Sequence, residues 1–214
     1  PQYYGRYSTQ LKALANSGVV VVSASGNFYA DYSGRIGVSY PSSDPHSLSI
    51  GNTFARPGFY GGWKDDELII RPNVQTGTTD SINLTSQRGL LIDVFAPGTW
   101  INAAWVDGGH KPISGTSMAS PQVAGMVLLA QELAVKVLGR RLSFEEIKSL
   151  IKSSGETIYD GDDEGTTYVS ASNSYYQRID MVALGEAILA LKPPASHSVT
   201  VSAGKTETLK DFGF

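Results

Sequence analysis

One twelve-residue stretch, Ser114-Gly115-Thr116-Ser117-Met118-Ala119-Ser120-Pro121-Gln122-Val123-Ala124-Gly125, constrains this chain more than any other. It sets a tight turn directly ahead of an apolar run that continues to Leu138. Gly115 allows a sharp turn without a Cβ clash, and Pro121 suits the first turn of a helix, where its absent N–H costs least. The run is apolar almost all round, which predicts a helix through the core over Met118–Leu138, ended by Gly139. Ser117 then stands at the positive end of the helix dipole, among N–H groups without intrahelical partners. That setting stabilises an oxyanion and makes Ser117 a candidate nucleophile. A serine before an apolar run is also the ordinary helix N-cap. A lipase-type Gly-x-Ser-x-Gly elbow is excluded, because Ala119 stands where the second glycine belongs.

A second signal comes from Val19-Val20-Val21-Val22, a β-branched run of the kind buried on both faces of a parallel sheet. Before it, Tyr7, Leu11, Leu14 and Ala15 recur at helical spacing and Asn16-Ser17-Gly18 ends the pattern. Helix, glycine turn and buried strand make half of a βαβ unit, whose ligands bind beyond the carboxyl ends of the strands. Ser23-Ala24-Ser25-Gly26-Asn27 occupies that end. An asparagine closing a strand is common in turns. It can also donate to a developing oxyanion.

Gly115–Pro121 with Val123–Gly125 resembles the nucleophile segment of the subtilisin-like serine proteases, with Gln122 where histidine is frequent. Three further segments resemble the same family in the same order. Val19–Val22 runs into Ser25-Gly26-Asn27, with Ser25 in place of the usual alanine. Ser39-Tyr40-Pro41 precedes a strand through Leu48–Gly51. Leu91–Val94 leads into Phe95-Ala96-Pro97-Gly98. The resemblance implies an α/β fold, a parallel sheet with helices on both faces whose N-terminal strands are missing. It implies peptide-bond hydrolysis through an acyl-enzyme on Ser117, with Asn27 and the Ser117 N–H holding the oxyanion. Ser25, Gly26 and Ser39 are implied as substrate-binding, Ser39 at the floor of the specificity pocket, and a cis Tyr40–Pro41 bond is expected. Protein or peptide substrates and secretion are implied too. The chemistry needs no cofactor, although members of the family often bind structural calcium.

The family's order of triad residues is Asp, His, Ser. The sequence has three histidines, His46, His110 and His197, and none lies in the family's His-Gly-Thr-His setting. Two readings stay open. Either the aspartate and histidine precede Pro1 in a longer protein, and this piece alone is nearly inert, or the chain is a catalytically silent binding or structural relative.

Bulk properties narrow the remaining classes. Seventeen basic against twenty acidic residues offer no electrostatic case for nucleic acid. No run reads as a membrane span. There is no cysteine, so disulfides and thiolate metal sites are excluded. Clustered carboxylates at Asp160, Asp162, Asp163 and Glu164 suit a hard cation, or a solvated acidic loop. An EF-hand is rejected because its twelfth position is Ala171. Thr53–Leu84 departs from the family pattern and reads as an inserted excursion, a hairpin with strands at Leu68–Ile70, Gln75–Thr78 and Ser81–Leu84 around a loop. Ile101–Val106 with an Asp107-Gly108-Gly109 turn reads as a hairpin. Ser143–Glu146 forms a capping box, and Asp180 caps a last helix. Lys192-Pro193-Pro194 divides residues 1–192, the C-terminal portion of the catalytic domain, from 193–214. That tail reads as the start of a β-rich module or a frayed end.

Overall fold

The computed structural model describes residues 5–60, 62–64, 67–69, 75–106, 108–161, 169–193, 196–201 and 205–210. For 59–60, 62–64, 67–69, 196–201 and 205–210 it describes the backbone alone. Asp107, Asp162, Asp163, Glu164, Ser202, Gly204 and the last residues, 211–214, lie outside the described residues.

Helix α1 (Ser8–Asn16) leads through Gly18 to β1 (Val22–Ala24), and β2 (Leu48–Phe54) follows. The excursion then supplies β3 (Gly58–Tyr60), β4 (Gly62–Lys64), β5 (Glu67–Ile69) and β6 (Gln75–Gly77). Next come β7 (Val94–Thr99), β8 (Ile101–Ala104), β9 (His110–Ile113) and α2 (Thr116–Leu138). The order closes with α3 (Phe144–Ser153), β10 (Glu156–Asp160), β11 (Ser174–Arg178), α4 (Met181–Ala190), β12 (Ser196–Val201) and β13 (Lys205–Lys210).

The central sheet has the order β1-β2-β7-β11-β10. Its pairs are parallel from β1 to β11, and β10 is antiparallel to β11. This is the predicted α/β sheet. Val94 and Ala96 point to one face and Phe95 to the other, as the two-residue period of a strand requires. The first face carries the main core: Leu48 and Ile50 from β2, Val123, Met126 and Ala130 from α2, Phe144 and Ile147 from α3, and Leu184 and Ile188 from α4. The Phe95 face is closed by Val38, Ile82, Ile92 and Ile158. β1 is an edge of the sheet, with no neighbour on its outer side among the described residues.

Several expectations shift in detail. The valine run predicts a strand over Val19–Val22, but pairing of Val22 with Leu48 and of Ala24 with Ile50 places β1 three residues later. A continuous apolar run carries no register of its own; the partner strand supplies it. Ser81–Leu84 is a buried loop with a single bridge, Thr53 to Ile82, because the Gln75 side chain bonds its backbone at Ile82 O and Leu84 N. β12 and β13 form a hairpin with one another.

Helix α2 is not buried all round. Thr116, Ala119, Val123, Val127, Ala130 and Ala134 face the protein, whereas Leu128, Leu129 and Val135 are exposed. By length and composition α2 could cross a membrane. Its packing against β1, β2, β7 and α4 is that of a core helix with one uncovered apolar side.

Both predicted caps form. Ser143 accepts from Glu146 N and Glu146 reaches back to Ser143 N, a reciprocal capping box. Arg140 beside Glu146, helped by the Ser143 N–H, lowers the Glu146 carboxyl to about 2. A depressed carboxylate stabilises the fold above its unfolded value near 4.5, and the gain is lost as pH falls through the folded value. Glu146→Gln should therefore flatten the stability change between about pH 4.5 and 2. The pair is solvent-exposed, so the difference is under about 1 kcal/mol, read from urea unfolding at the two pH values.

The acidic-loop reading needs correction at Asp160. This residue is fully buried and its carboxylate receives Arg88 bidentately, Nε to Oδ2 at 2.9 Å and Nη2 to Oδ1 at 3.0 Å. Ser172 N donates to Oδ2 as well, at 2.8 Å. Those oxygens accept from a guanidinium and an amide rather than facing a site for a metal ion. Arg88 also donates to Asn83 O and Ser86 O and lies over the Tyr29 ring at 4.2 Å. One buried side chain thereby ties the 83–88 loop to the β10–β11 hairpin. Arg88→Met leaves the Asp160 charge buried without its partner and should cost about 3–5 kcal/mol. Calorimetry should show Tm falling by on the order of 10 °C. A shift under about 2 °C would contradict the assignment.

Candidate active site

The carboxyl ends of β1 and β7 bring two distant segments together. At the β1 end, Ser25 N donates to Ile50 O, and Gly26 turns the chain with φ of 113°. At the β7 end, Gly115 N donates to Gly98 O at 2.8 Å, seating the serine turn on the strand that precedes it. Gln122, where the family's histidine is frequent, donates from α2 to Pro97 O, a second tie between that strand and the serine helix.

Thr116 joins the two ends. Its N–H donates to Asn27 Oδ1 at 2.8 Å, and its hydroxyl donates to the same oxygen at 3.1 Å. The Thr116 hydroxyl in turn accepts from Gly26 N at 3.2 Å. With two donors on the carboxamide oxygen, the amide orientation of Asn27 is fixed, and Nδ2 is the end left to donate. Nδ2 meets no acceptor among the described residues. It lies beside Gly115, whose φ of 154° already excludes most side chains and where a Cβ would come within 3.2 Å of it.

Ser117 is the second residue of α2 and is exposed. The helix N-cap is Gly115, with no side-chain cap, so the capping reading of Ser117 is overturned. Met118 N bonds back to Gly115 O, but the Ser117 N–H makes no bond to a described residue. Two donors without acceptors, Ser117 N–H and Asn27 Nδ2, thus stand at the serine turn. Free donors at a helix N-terminus are what a developing oxyanion requires. Pro121 lies in the second turn rather than the first. Its absent N–H leaves the Ser117 carbonyl without an i+4 donor, a local break within the helix start.

The predicted substrate-binding residues also converge. Ser39 N donates to Ser25 O at 2.8 Å, and a Cβ on Gly26 would meet Ser39 Oγ at 2.6 Å, so only glycine fits there. Ser25 contributes its backbone; its side chain is fully buried. The Tyr40–Pro41 bond is cis. Two neighbours escaped sequence reasoning. Gln87 N donates to Gly26 O at 3.1 Å and its side chain packs on Gly26. Thr116 stands inside the serine motif but carries no signal of its orienting role until Asn27 is beside it.

Neither described histidine ring serves Ser117. His46 pairs with Asp44, Nδ1 to Oδ1 at 3.1 Å. Burial works against the charge of Asp44, but hydrogen bonds from Ser8 and His46 hold its carboxyl below the ordinary value. The pair precedes β2, whereas Asn27 follows the parallel β1, so they lie at opposite ends of the sheet. Seven strand residues separate those ends, roughly 20 Å. His110 opens β9 opposite Ala104, at the end of its hairpin away from Ser114. His197 belongs to β12, whose backbone alone is described.

A family model described as the subtilase family matches residues 2–188. The alkaline serine exoprotease A of Vibrio alginolyticus is 56% identical over 54 residues, 25% of this chain and 10% of that protein. Proteinase R of Parengyodontium album is 28% identical over 178 residues, 80% of this chain and 37% of that protein. A solved cold adapted subtilisin-like serine proteinase is similar with a TM-score of 0.51 and 26% identity, covering 81% of this chain and 50% of its own. The self-cleaved protease domain of PatA shares the fold with a TM-score of 0.57 at 19% identity, over 86% of this chain and 55% of its own. The chain therefore spans 10% and 37% of the two curated relatives and about half of the two solved structures.

Proposed function

The chain belongs to the subtilase family, and on that premise we propose that it carries the nucleophile and the oxyanion site of a serine endopeptidase. The observation that carries this reading is the pair of unengaged donors, Ser117 N–H and Asn27 Nδ2, at the exposed Ser117. Ser117 Oγ attacks the scissile carbonyl, forming the Oγ–C bond. The charge that develops on the carbonyl oxygen is received by the two donors. Collapse breaks the C–N bond, the amine leaving with the proton that the base took from Ser117, and leaves an acyl-serine for water to hydrolyse.

The base that takes the Ser117 proton, and the carboxylate that orients it, come from polypeptide outside this chain. A groove of about 600 Å³ beside β1 and α2, lined by Val20, Val127, Leu128 and Val135 together with the charged Glu132, Lys136 and Arg141, supports this. That groove, the β1 edge, which has no outer neighbour among the described residues, and the exposed Leu129 are surface that further structure would cover. Substrates are proteins or peptides, held through Gly26, Ser39 and the Ser25 backbone, and the setting is extracellular. A structural calcium is a separate proposal; its remaining candidates, Asp162, Asp163 and Glu164, lie outside the described residues.

A catalytically silent relative is the second reading, favoured by the lack of a histidine ring beside Ser117 among the described residues. Fluorophosphonate labelling of the complete protein separates the two. The peptidase reading expects one adduct, lost in Ser117→Ala. An unlabelled protein, or labelling that survives the substitution, supports the silent reading instead.

A further inference from the structure

A cavity of about 440 Å³ opens at the carboxyl ends of β2 and β7, lined by Phe54, Arg56, Pro57, Gly58, Thr99 and Trp100. It sits where the excursion after β2 meets β7, the strand to which the serine turn is hydrogen-bonded. Trp100 N donates to Ser114 Oγ at 2.8 Å, and Gly98, two residues earlier, accepts from Gly115 N. Through those bonds Trp100 and Ser117 are at most roughly 20 Å apart along the chain, within the span of a few extended residues.

The two sides of the serine turn differ. On one side stand Asn27, Gly26 and Ser39, which hold the acyl part of a substrate in the reading above. On the other stand Thr99 and Trp100. In the sheet β2 separates β1 from β7, so a peptide held by its acyl part at the β1 end, with its carbonyl at Ser117, has its leaving-group portion on the β7 side, where the cavity opens.

The lining says what that portion carries. Arg56 is exposed and forms no ion pair with a carboxylate among the described residues. Its planar fork matches a carboxylate bidentately. Phe54 and Trp100 give the cavity an aromatic wall. Trp100 adopts φ of 57°, a conformation bulky L-residues avoid, and the bond to Ser114 holds it there. Backbone held in such a conformation by its surroundings concentrates at ligand clamps.

We propose that the Phe54–Arg56–Trp100 cavity binds a carboxylate on the leaving-group side of the scissile bond. The carboxylate is an acidic side chain or the substrate's own C-terminus. The inference rests on the Ser117 reading only for the direction of the peptide; the cavity and its Arg56 stand apart from it.

The test uses the complete protein with Ser117→Ala, so that peptides bind without being cut. Three fluorescently labelled peptides, identical on the acyl side, carry glutamate with an amidated end, glutamine with a free end, or glutamine with an amidated end. Anisotropy titration should give roughly tenfold tighter binding for a carboxylate-bearing peptide than for the neutral one. Arg56→Gln should abolish the difference, and raised salt should weaken it. Preference for the glutamate peptide assigns the side chain as source, and preference for the free end assigns the terminus. Equal affinity for all three, or a preference that survives Arg56→Gln, overturns the proposal. Labelling of the unsubstituted protein is scored separately: an adduct at Ser117 with no peptide discrimination rejects the cavity alone, and no adduct rejects the peptidase reading.

Discussion

Replacing Ser117 with alanine should lower peptide hydrolysis by the complete protein roughly 10⁶-fold, with KM little changed. That magnitude is taken from subtilisin variants rather than derived from this geometry. The physical argument is local. Ser117 is exposed and is not the helix cap, and neither its N–H nor its hydroxyl bonds a described residue, so no contact among the described residues depends on its hydroxyl. Loss of activity with an unchanged unfolding midpoint is then loss of the nucleophile. A structural serine would behave in the opposite way, with lower stability and activity falling in proportion.

The second large effect is at Asn27. Asn27→Ala removes one oxyanion donor and should lower kcat by roughly 10²–10³, a figure likewise measured in subtilisin and adopted here. The alanine variant also removes the acceptor for Thr116, so it cannot alone separate a catalytic from an orienting role. Asn27→Asp does. It keeps an oxygen for the Thr116 N–H and hydroxyl but replaces the Nδ2 donor with a negative charge facing the developing oxyanion. The catalytic account therefore predicts that Asn27→Asp is the slower enzyme of the two. If Asn27 served only to hold Thr116, the aspartate variant would be the better tolerated.

How far these features were legible in the sequence depends on the range of the interactions behind them. Ser117, Asn27, Gly26 and Ser39 could be singled out because each lies in a contiguous motif, and the fold draws those motifs together at the carboxyl end of β1. The Ser143 capping box and the Asp180 cap were readable for the same reason: four consecutive residues contain the whole interaction. Partners distant in sequence were not. Asp160 looked like one carboxylate of a cation loop, because Arg88, the group that receives it, is 72 residues away. Gln87 sits on Gly26 across a comparable separation, and Thr116 becomes an orienting residue only once Asn27 faces it. Helix α2 looked buried all round because apolar residues surround it. Which face is covered depends on what packs there, and Leu128, Leu129 and Val135 show that a composition pattern does not carry that information. The Val19–Val22 run predicted the existence of a strand correctly but placed it three residues early, since alternation, the signal that pins register, is absent from an unbroken apolar run.

The central claim is that Ser117 and Asn27, 90 residues apart, share one site for a developing negative charge. The most direct test is the rate and position of fluorophosphonate attachment in the complete protein, compared between the unsubstituted protein and its Asn27→Asp variant, which keeps the oxygen that Thr116 bonds and removes only the donor, by mass-spectrometric peptide mapping. The account predicts an adduct on Ser117 in both, formed roughly 10² times more slowly when the donor is gone. An adduct on another residue, or equal rates in the two proteins, would contradict it.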